Sequence, residues 1–270
     1  MAHERNMRAG RTLVSRSRPT ERSMRALAVR LAAIWLSVGT GNAVADYREA
    51  PVANGGTVSG AVLVAGDVPV LPPQPVFKRL EVCGDSVADE RLVVGPGGVL
   101  ANAVVDLVDV PAGKPVPRDR PVVLDNSKCA FVPHVRSATV GQTLEIHNSD
   151  PFLHDAHAWL GTRSLFNVGI LPGHTAHQPL ADAGLVHINC NVRHTWMHAY
   201  VFVADDPYHT VTGADGRFTI DQVPPGTYTL RVWHELLGSI DRPVTVEGGR
   251  TATVDLALPL VAPVPPAQAP

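Results

Sequence analysis

The feature that most narrows the fold is a two-residue rhythm that is broken at short intervals. Gly56-Thr-Val-Ser-Gly-Ala-Val-Leu-Val-Ala-Gly66 places small and apolar side chains at every second position and then stops on glycine. Successive side chains of an extended strand point to opposite faces, so such a run buries one face and wets the other. Ala103 to Val110 is a second β-like run. After Pro207 come TVTGADGRFTI, PPGTYTLRVWHE, RPVTVEGG and TATVDLAL, joined by Ala-Asp-Gly, Pro-Pro-Gly and Glu-Gly-Gly. Those are turn sequences. Glycine and proline supply 47 of the 270 residues (23 + 24). The pattern predicts an all-β chain built as sandwiches.

The first 45 residues read as an export signal. Eight arginines fall within residues 1–30, an apolar stretch runs from Leu31 to Val38, and Ala43-Val44-Ala45 places small residues where a signal peptidase cuts. Met24 opens a conventional signal on its own and is the expected translation start. The apolar stretch is too short for a stable membrane anchor, and the expected location is periplasmic or secreted. Cleavage before Asp46 removes eight Arg, Glu4 and Glu21. It leaves 15 basic residues (23 − 8) against 23 acidic (25 − 2), a net charge of −8. A surface that acidic excludes nucleic acid as a partner.

The three cysteines are Cys83, Cys129 and Cys190, and ten of the twelve histidines lie between residues 134 and 209. Cys190-Asn-Val-Arg-His194-Thr-Trp-Met197 offers a thiolate, an imidazole and a thioether within one loop. That soft-to-borderline donor set suits copper, and a second imidazole upstream would complete it. His154 is the candidate, in Asn148-Ser-Asp150-Pro-Phe-Leu-His154-Asp155. His157 and His187 lie three residues from His154 and Cys190, on the opposite strand face. His198 adjoins Met197 and is a weaker substitute ligand. His134, His174, His177 and His209 are expected in solvent. Trp196 is expected to pack beside the ligands.

With Phe131-x-Pro133, Val140-Gly141, Asn148-x-Asp150-x-x-x-His154, Cys190, His194, Met197 and the run Ala199 to Val203, residues 121–204 resemble a plastocyanin- or amicyanin-like cupredoxin. The resemblance implies one copper ion cycling between Cu(I) and Cu(II), held by His154, Cys190, His194 and Met197. It implies outer-sphere electron transfer to a transient redox partner, with the electron leaving through a solvent-edge His194. Phe152, Leu153, Trp159 and Leu160 lie near His154 in sequence and would form a small docking patch if they cluster at one end. The ligand loop is one residue longer than the C-x2-H-x2-M of amicyanin-like proteins. A binuclear site would need cysteine at position 186, which is Val186. No His-x-His pair occurs, so oxidase chemistry and an enzyme role are not expected. A copper carrier or sensor and a copper-free scaffold remain as alternatives.

Asp155 and Asn191 replace the residues usual at those positions, and Asp155 is predicted to accept a hydrogen bond from Asn191 beside the metal. With Cys190 in the site, Cys83 and Cys129 are left as a disulfide, with Cys129 ahead of the first cupredoxin strand.

The C-terminal part resembles the carboxypeptidase regulatory-like (transthyretin-like) sandwich. Thr212-x-x-Asp215-Gly216-x-Phe218, Val223-Pro224-Pro225-Gly226-Thr227-Tyr228 and Val244-x-Val246-x-x-Gly249 carry that resemblance. The opening strand usual in that family stands at Gly56–Val62, far upstream. Two arrangements follow. Either residues 46–117 and 206–258 form one sandwich with a cupredoxin domain, 118–205, inserted between them, or three pieces pack in order. The Pro/Ala-rich tail, 259–270, is expected to be disordered. The whole pattern is similar to cupredoxin-plus-regulatory-domain proteins, some labelled methylamine utilisation proteins.

Overall fold

The computed structural model describes residues 47–260 apart from Arg193. The export signal and the tail beyond 260 lie outside the described residues. Among the described residues no helix is long and apolar enough to cross a membrane. The only helical pieces there are a single turn, Leu80–Cys83, and a three-residue 3-10 turn, Pro96–Gly98. Everything else is strand and turn, packed as two β-sandwiches around two separate apolar cores.

One sandwich draws its strands from both ends of the chain. Its first sheet has the order His209–Val211, Val104–Val108, Gly226–His234, Gly238–Val246. Its second places Gly56–Ala65 between Arg217–Val223 and Thr251–Thr253, and the same strand continues along Leu256–Pro259. The inward positions of Gly56–Ala65 alternate as the sequence rhythm requires, with Val58, Val62 and Val64 buried. Gly60 stands in that inward row because the chain passes directly above it. A Cβ there would lie 1.9 Å from the Val254 carbonyl oxygen.

Thr212 ties the two halves together. Its hydroxyl donates to the Leu100 carbonyl at 2.7 Å and accepts the Ala103 amide at 3.0 Å. Gly216, at φ +68°, turns the chain into Arg217–Val223 where a side chain would strike Val99 and the Val62 carbonyl. The Thr-x-x-Asp-Gly motif is therefore a clamp between segments more than a hundred residues apart in sequence.

The central sandwich takes residues 122–204. One sheet has the order Thr175–Pro179, Thr143–Asn148, Val122–Ser127, Ala130–Val132. The other runs Arg163–Ile170, His154–Leu160, Gly184–Asn189, His198–Ala204, Val135–Thr139. Leu124, Phe131, Leu144, Ile146, Val186, Ile188 and Val201 fill the space between the sheets. Cys83 and Cys129 are bonded and bring the turn at Leu80–Cys83 onto this sandwich. Cys129 sits in the turn after Val122–Ser127 and so follows the first strand, contrary to the expectation from sequence.

Candidate metal centre

His154 opens its strand, Cys190 follows Gly184–Asn189, and Met197 precedes His198–Ala204. These three strands are neighbours and antiparallel, so all three residues emerge at one end of one sheet. The ligand loop is closed by two backbone bonds, Met197 N–H to the His194 carbonyl at 2.8 Å and Cys190 N–H to the Met197 carbonyl at 3.3 Å. All four side chains are at most 2% exposed.

Their donor atoms converge. Cys190 Sγ lies 3.7 Å from His154 Nδ1 and 3.7 Å from His194 Nδ1, and the two nitrogens are 3.1 Å apart. With bonds of about 2.0 Å to nitrogen and 2.3 Å to sulfur, a trigonal plane puts sulfur and nitrogen about 3.7 Å apart. The two nitrogens would be about 3.5 Å apart on the same arithmetic. The triangle fits a borderline metal ion to within a few tenths of an ångström. Met197 is buried beside it, at the end of the same loop.

The tautomer of His154 is set from behind. Its Nε2 is 2.9 Å from Asp150 Oδ2, and a carboxylate only accepts, so Nε2 carries the proton and Nδ1 keeps a free lone pair. Asp150 is itself held by the amides of Lys128 and Cys129 at 2.7 and 2.9 Å. It is part of the site although the motif alone gave it no role. Asn148, 2% exposed, donates to the Phe152 and Ile170 carbonyls and accepts the Asp150 amide, pinning the loop ahead of His154. Asp155 does accept from Asn191, but from its backbone amide. The Asn191 side chain turns away, donating to His157 Nδ1 at 2.6 Å. An asparagine donates from either group, and the sequence does not say which.

Burial pushes the Cys190 thiol up to about 12, although the backbone amides of Asp155 and Val192 favour the thiolate. Burial, then the neighbouring His154 and the charges of Lys78 and Arg79, bring His194 down to about 4. His154 is lowered as well, by burial against the opposing pull of Asp150. At neutral pH both imidazoles are therefore free bases, and a metal entering the site displaces only the thiol proton.

Two expectations need correction. His194 is not at the solvent edge: it is 2% exposed, and its Nε2 is buried without a hydrogen-bond partner. Phe152 and Trp196 pack against its ring, at 5.5 and 5.3 Å between centroids, and the Arg79 guanidinium lies 5.2 Å above the Phe152 ring. The four proposed docking residues do not cluster either. Phe152 is buried, whereas Trp159 and Leu160 lie at the far end of the strand from His154, and only Leu153 is exposed at the metal end. Trp196 packs as predicted, its indole N–H donating to the Cys129 carbonyl at 2.9 Å.

The remaining histidines divide. His174 and His177 are exposed. His134 is buried and lies 3.0 Å from Glu235 Oε1, and His209 bonds the Thr139 hydroxyl at 2.9 Å. Both belong to the seam between the sandwiches, which an isolated histidine in a sequence does not announce. Burial works against a charge on His134, but the hydrogen bond and charge of Glu235 outweigh it and raise its pKa. Among the described residues, His134, His198 and Glu235 form a second group able to hold a metal ion.

Comparison with known proteins gives one family match and several similar solved structures. Residues 197–259 match the carboxypeptidase regulatory-like domain. Solved structures similar to the chain include a reduced amicyanin variant, at 22% identity over 32% of this chain and 83% of that one, with a TM-score of 0.29. The purple cupredoxin from Nitrosopumilus maritimus is 20% identical over 32% of this chain and all of its own (100%), with a TM-score of 0.28. The copper-containing nitrite reductase from Thermus scotoductus SA-01 is 23% identical over 33% of this chain, with a TM-score of 0.30, and the chain covers only 23% of its length. The sequence has no significant match among curated proteins. The chain is all-β, built as two sandwiches, and the one that takes its strands from both ends of the chain contains most of the stretch that matches the carboxypeptidase regulatory-like domain.

Proposed function

We propose that this chain is an exported mononuclear copper protein that passes single electrons to and from a transient protein partner. One observation carries the reading: Cys190 Sγ, His154 Nδ1 and His194 Nδ1 form a closed triangle of 3.1–3.7 Å with Met197 beside it. Copper held there would supply a one-electron Cu(I)/Cu(II) couple. The residues around it do the rest. Strand ends fix three of the ligands, and Asp150 holds the His154 ring, so little has to move between oxidation states. Phe152 and Trp196 keep water away from the donors. With all four ligand side chains at most 2% exposed, the site suits passage of electrons better than entry of a substrate, and the protein is read as a carrier of electrons rather than an enzyme.

The partner would meet the segment that carries Arg79 over the Phe152 ring beside His194. Phe77, Leu80 and Val82 are exposed there at 75%, 49% and 41%, and Leu153 and Leu171 are exposed on loops at the same end. Small apolar patches of this kind suit short-lived redox contacts.

The test is titration of the mature protein with Cu(II), repeated on Cys190→Ser. The reading expects one equivalent bound, an intense thiolate-to-copper band in the visible, and reversible reduction. The band should vanish in Cys190→Ser. Copper uptake without reversible cycling would instead indicate a copper carrier, and no uptake a scaffold.

A further inference from the structure

The sheet end that carries the copper ligands does not stop at Met197. The next residue, His198, starts its strand, and the parallel neighbour Val135–Thr139 is preceded by His134 at the same end. Facing both from the other sandwich is Glu235, in the turn between Gly226–His234 and Gly238–Val246. We propose that His134, His198 and Glu235 form a second metal site, which takes a divalent ion of the zinc or copper(II) class and clamps the two sandwiches together.

The two rings are already set as ligands. His198 Nδ1 lies 3.2 Å from the Trp196 carbonyl, and the His134 ring is hydrogen-bonded to the His198 backbone. A carbonyl only accepts, so in each ring one nitrogen is committed to donating and Nε2 is turned toward Glu235. Ligating histidines characteristically use their second nitrogen this way. His134 Nε2 is 3.0 Å from Oε1, and His198 Nε2 is 3.9 Å from Oε2. The second distance is too long for a hydrogen bond. An ion pair between His134 and Glu235 accounts for one carboxylate oxygen and leaves the aim of His198 unexplained. A bridging ion accounts for both.

One donor atom from each residue lies within 4.8 Å of the other two. The 3.9 Å from His198 Nε2 to the carboxylate is wider than a tetrahedral ion requires, so the triad draws in by about 0.5 Å on loading, given bonds of about 2.0–2.2 Å. The carboxylate is 5% exposed and the His134 side chain 3%. A cavity of about 20 Å³ adjoins the group, lined by Gln74, Glu90, His134, Trp196, Met197 and His198. It has room for one water molecule, which is what a three-residue site needs to complete four ligands. Two imidazoles and a carboxylate suit zinc or copper(II), whereas the sulfur-containing site next door suits copper in both states.

Cobalt(II) is the probe, because the two sites colour it differently. The host is the full mature chain carrying Cys190→Ser, which has no thiolate to give a charge-transfer band. One equivalent should bind with weak visible bands of nitrogen and oxygen ligation, and zinc should displace it. Adding Glu235→Gln or His134→Asn should weaken binding by more than about 10-fold, the least that even an outer-shell change costs. Zinc should also raise the thermal midpoint of the Cys190→Ser protein, and should not raise it once Glu235→Gln is added. The thiolate-to-copper band of Glu235→Gln made in the wild-type chain serves as the folding control. Absence of cobalt uptake by Cys190→Ser, or uptake unchanged by Glu235→Gln and His134→Asn, would overturn the proposal.

Discussion

The two groups of potential ligands sit side by side on one sheet end, yet they are built differently. Cys190, His154 and His194 all belong to the central sandwich, and their donor atoms already stand at 3.1–3.7 Å. His134, His198 and Glu235 are shared between two sandwiches, and the two imidazoles stand 3.0 and 3.9 Å from the carboxylate oxygens. Ligands on adjoining strands of one sheet inherit the strand spacing and need little adjustment. Ligands divided between domains are only as well placed as the docking of those domains. The first group therefore depends on what surrounds its own sandwich, and the second on the seam.

The disulfide should separate the two most strongly. Cys83–Cys129 closes a span of 46 residues, and removing such a link costs about 4 kcal/mol in the chain-entropy account. It also fastens the segment that sets Arg79 over Phe152, one of the rings packed against His194. Cys83→Ser/Cys129→Ser should lower stability by about that amount in denaturant titration and speed copper loss to a chelator. Cobalt binding at the seam in the Cys190→Ser background should change much less, because none of its three ligands lies on the fastened segment. Equal losses at both places would show that the two groups are a single unit.

Asp150 acts only on the first group. Asp150→Asn keeps the shape but replaces an acceptor with a side chain that also donates, facing two backbone amides and the His154 N–H. Copper affinity should fall 10- to 100-fold, the usual cost of disturbing a ligand's orienting partner. The seam group should be unaffected, and competition with a chelator of known affinity measures both. A fall of less than threefold would mean that packing alone holds the His154 ring.

What the sequence made legible follows the same division. The all-β class was visible in the two-residue rhythm of Gly56–Ala65, because burial of one strand face writes that rhythm directly. Cys190, His194 and Met197 were visible because one loop carries all three, and the Cys83–Cys129 link followed once Cys190 had a role. His134, His198 and Glu235 could not be seen as a group. They are spread over a hundred residues, and only the strand order and the meeting of the two sandwiches bring them together. The covering of His194 was hidden for a related reason. Lys78 and Arg79 lie far upstream in a proline-rich stretch with no regular pattern, and the disulfide at Cys83 fastens that stretch so that Arg79 stands over the Phe152 ring, which packs against His194.

The smallest expected effect is also the most diagnostic of donor type. The Cys190 thiol, pushed up to about 12 by burial, keeps its proton throughout the physiological range, so metal entering the first site must release it. Release of a proton on binding makes the apparent affinity rise with pH. The slope is about tenfold, or 1.4 kcal/mol, per pH unit for one proton, and it should hold from about pH 6 to 9. Below about pH 4 His194 takes up a proton as well, and the dependence steepens. In Cys190→Ser the thiol is gone, and the alkaline part of the slope should disappear from whatever metal binding remains. A metal affinity of the wild-type protein that stays flat between pH 7 and 9 would mean that the thiolate is already formed before the ion arrives. The amides of Asp155 and Val192 would then stabilise it more than the surrounding burial opposes it.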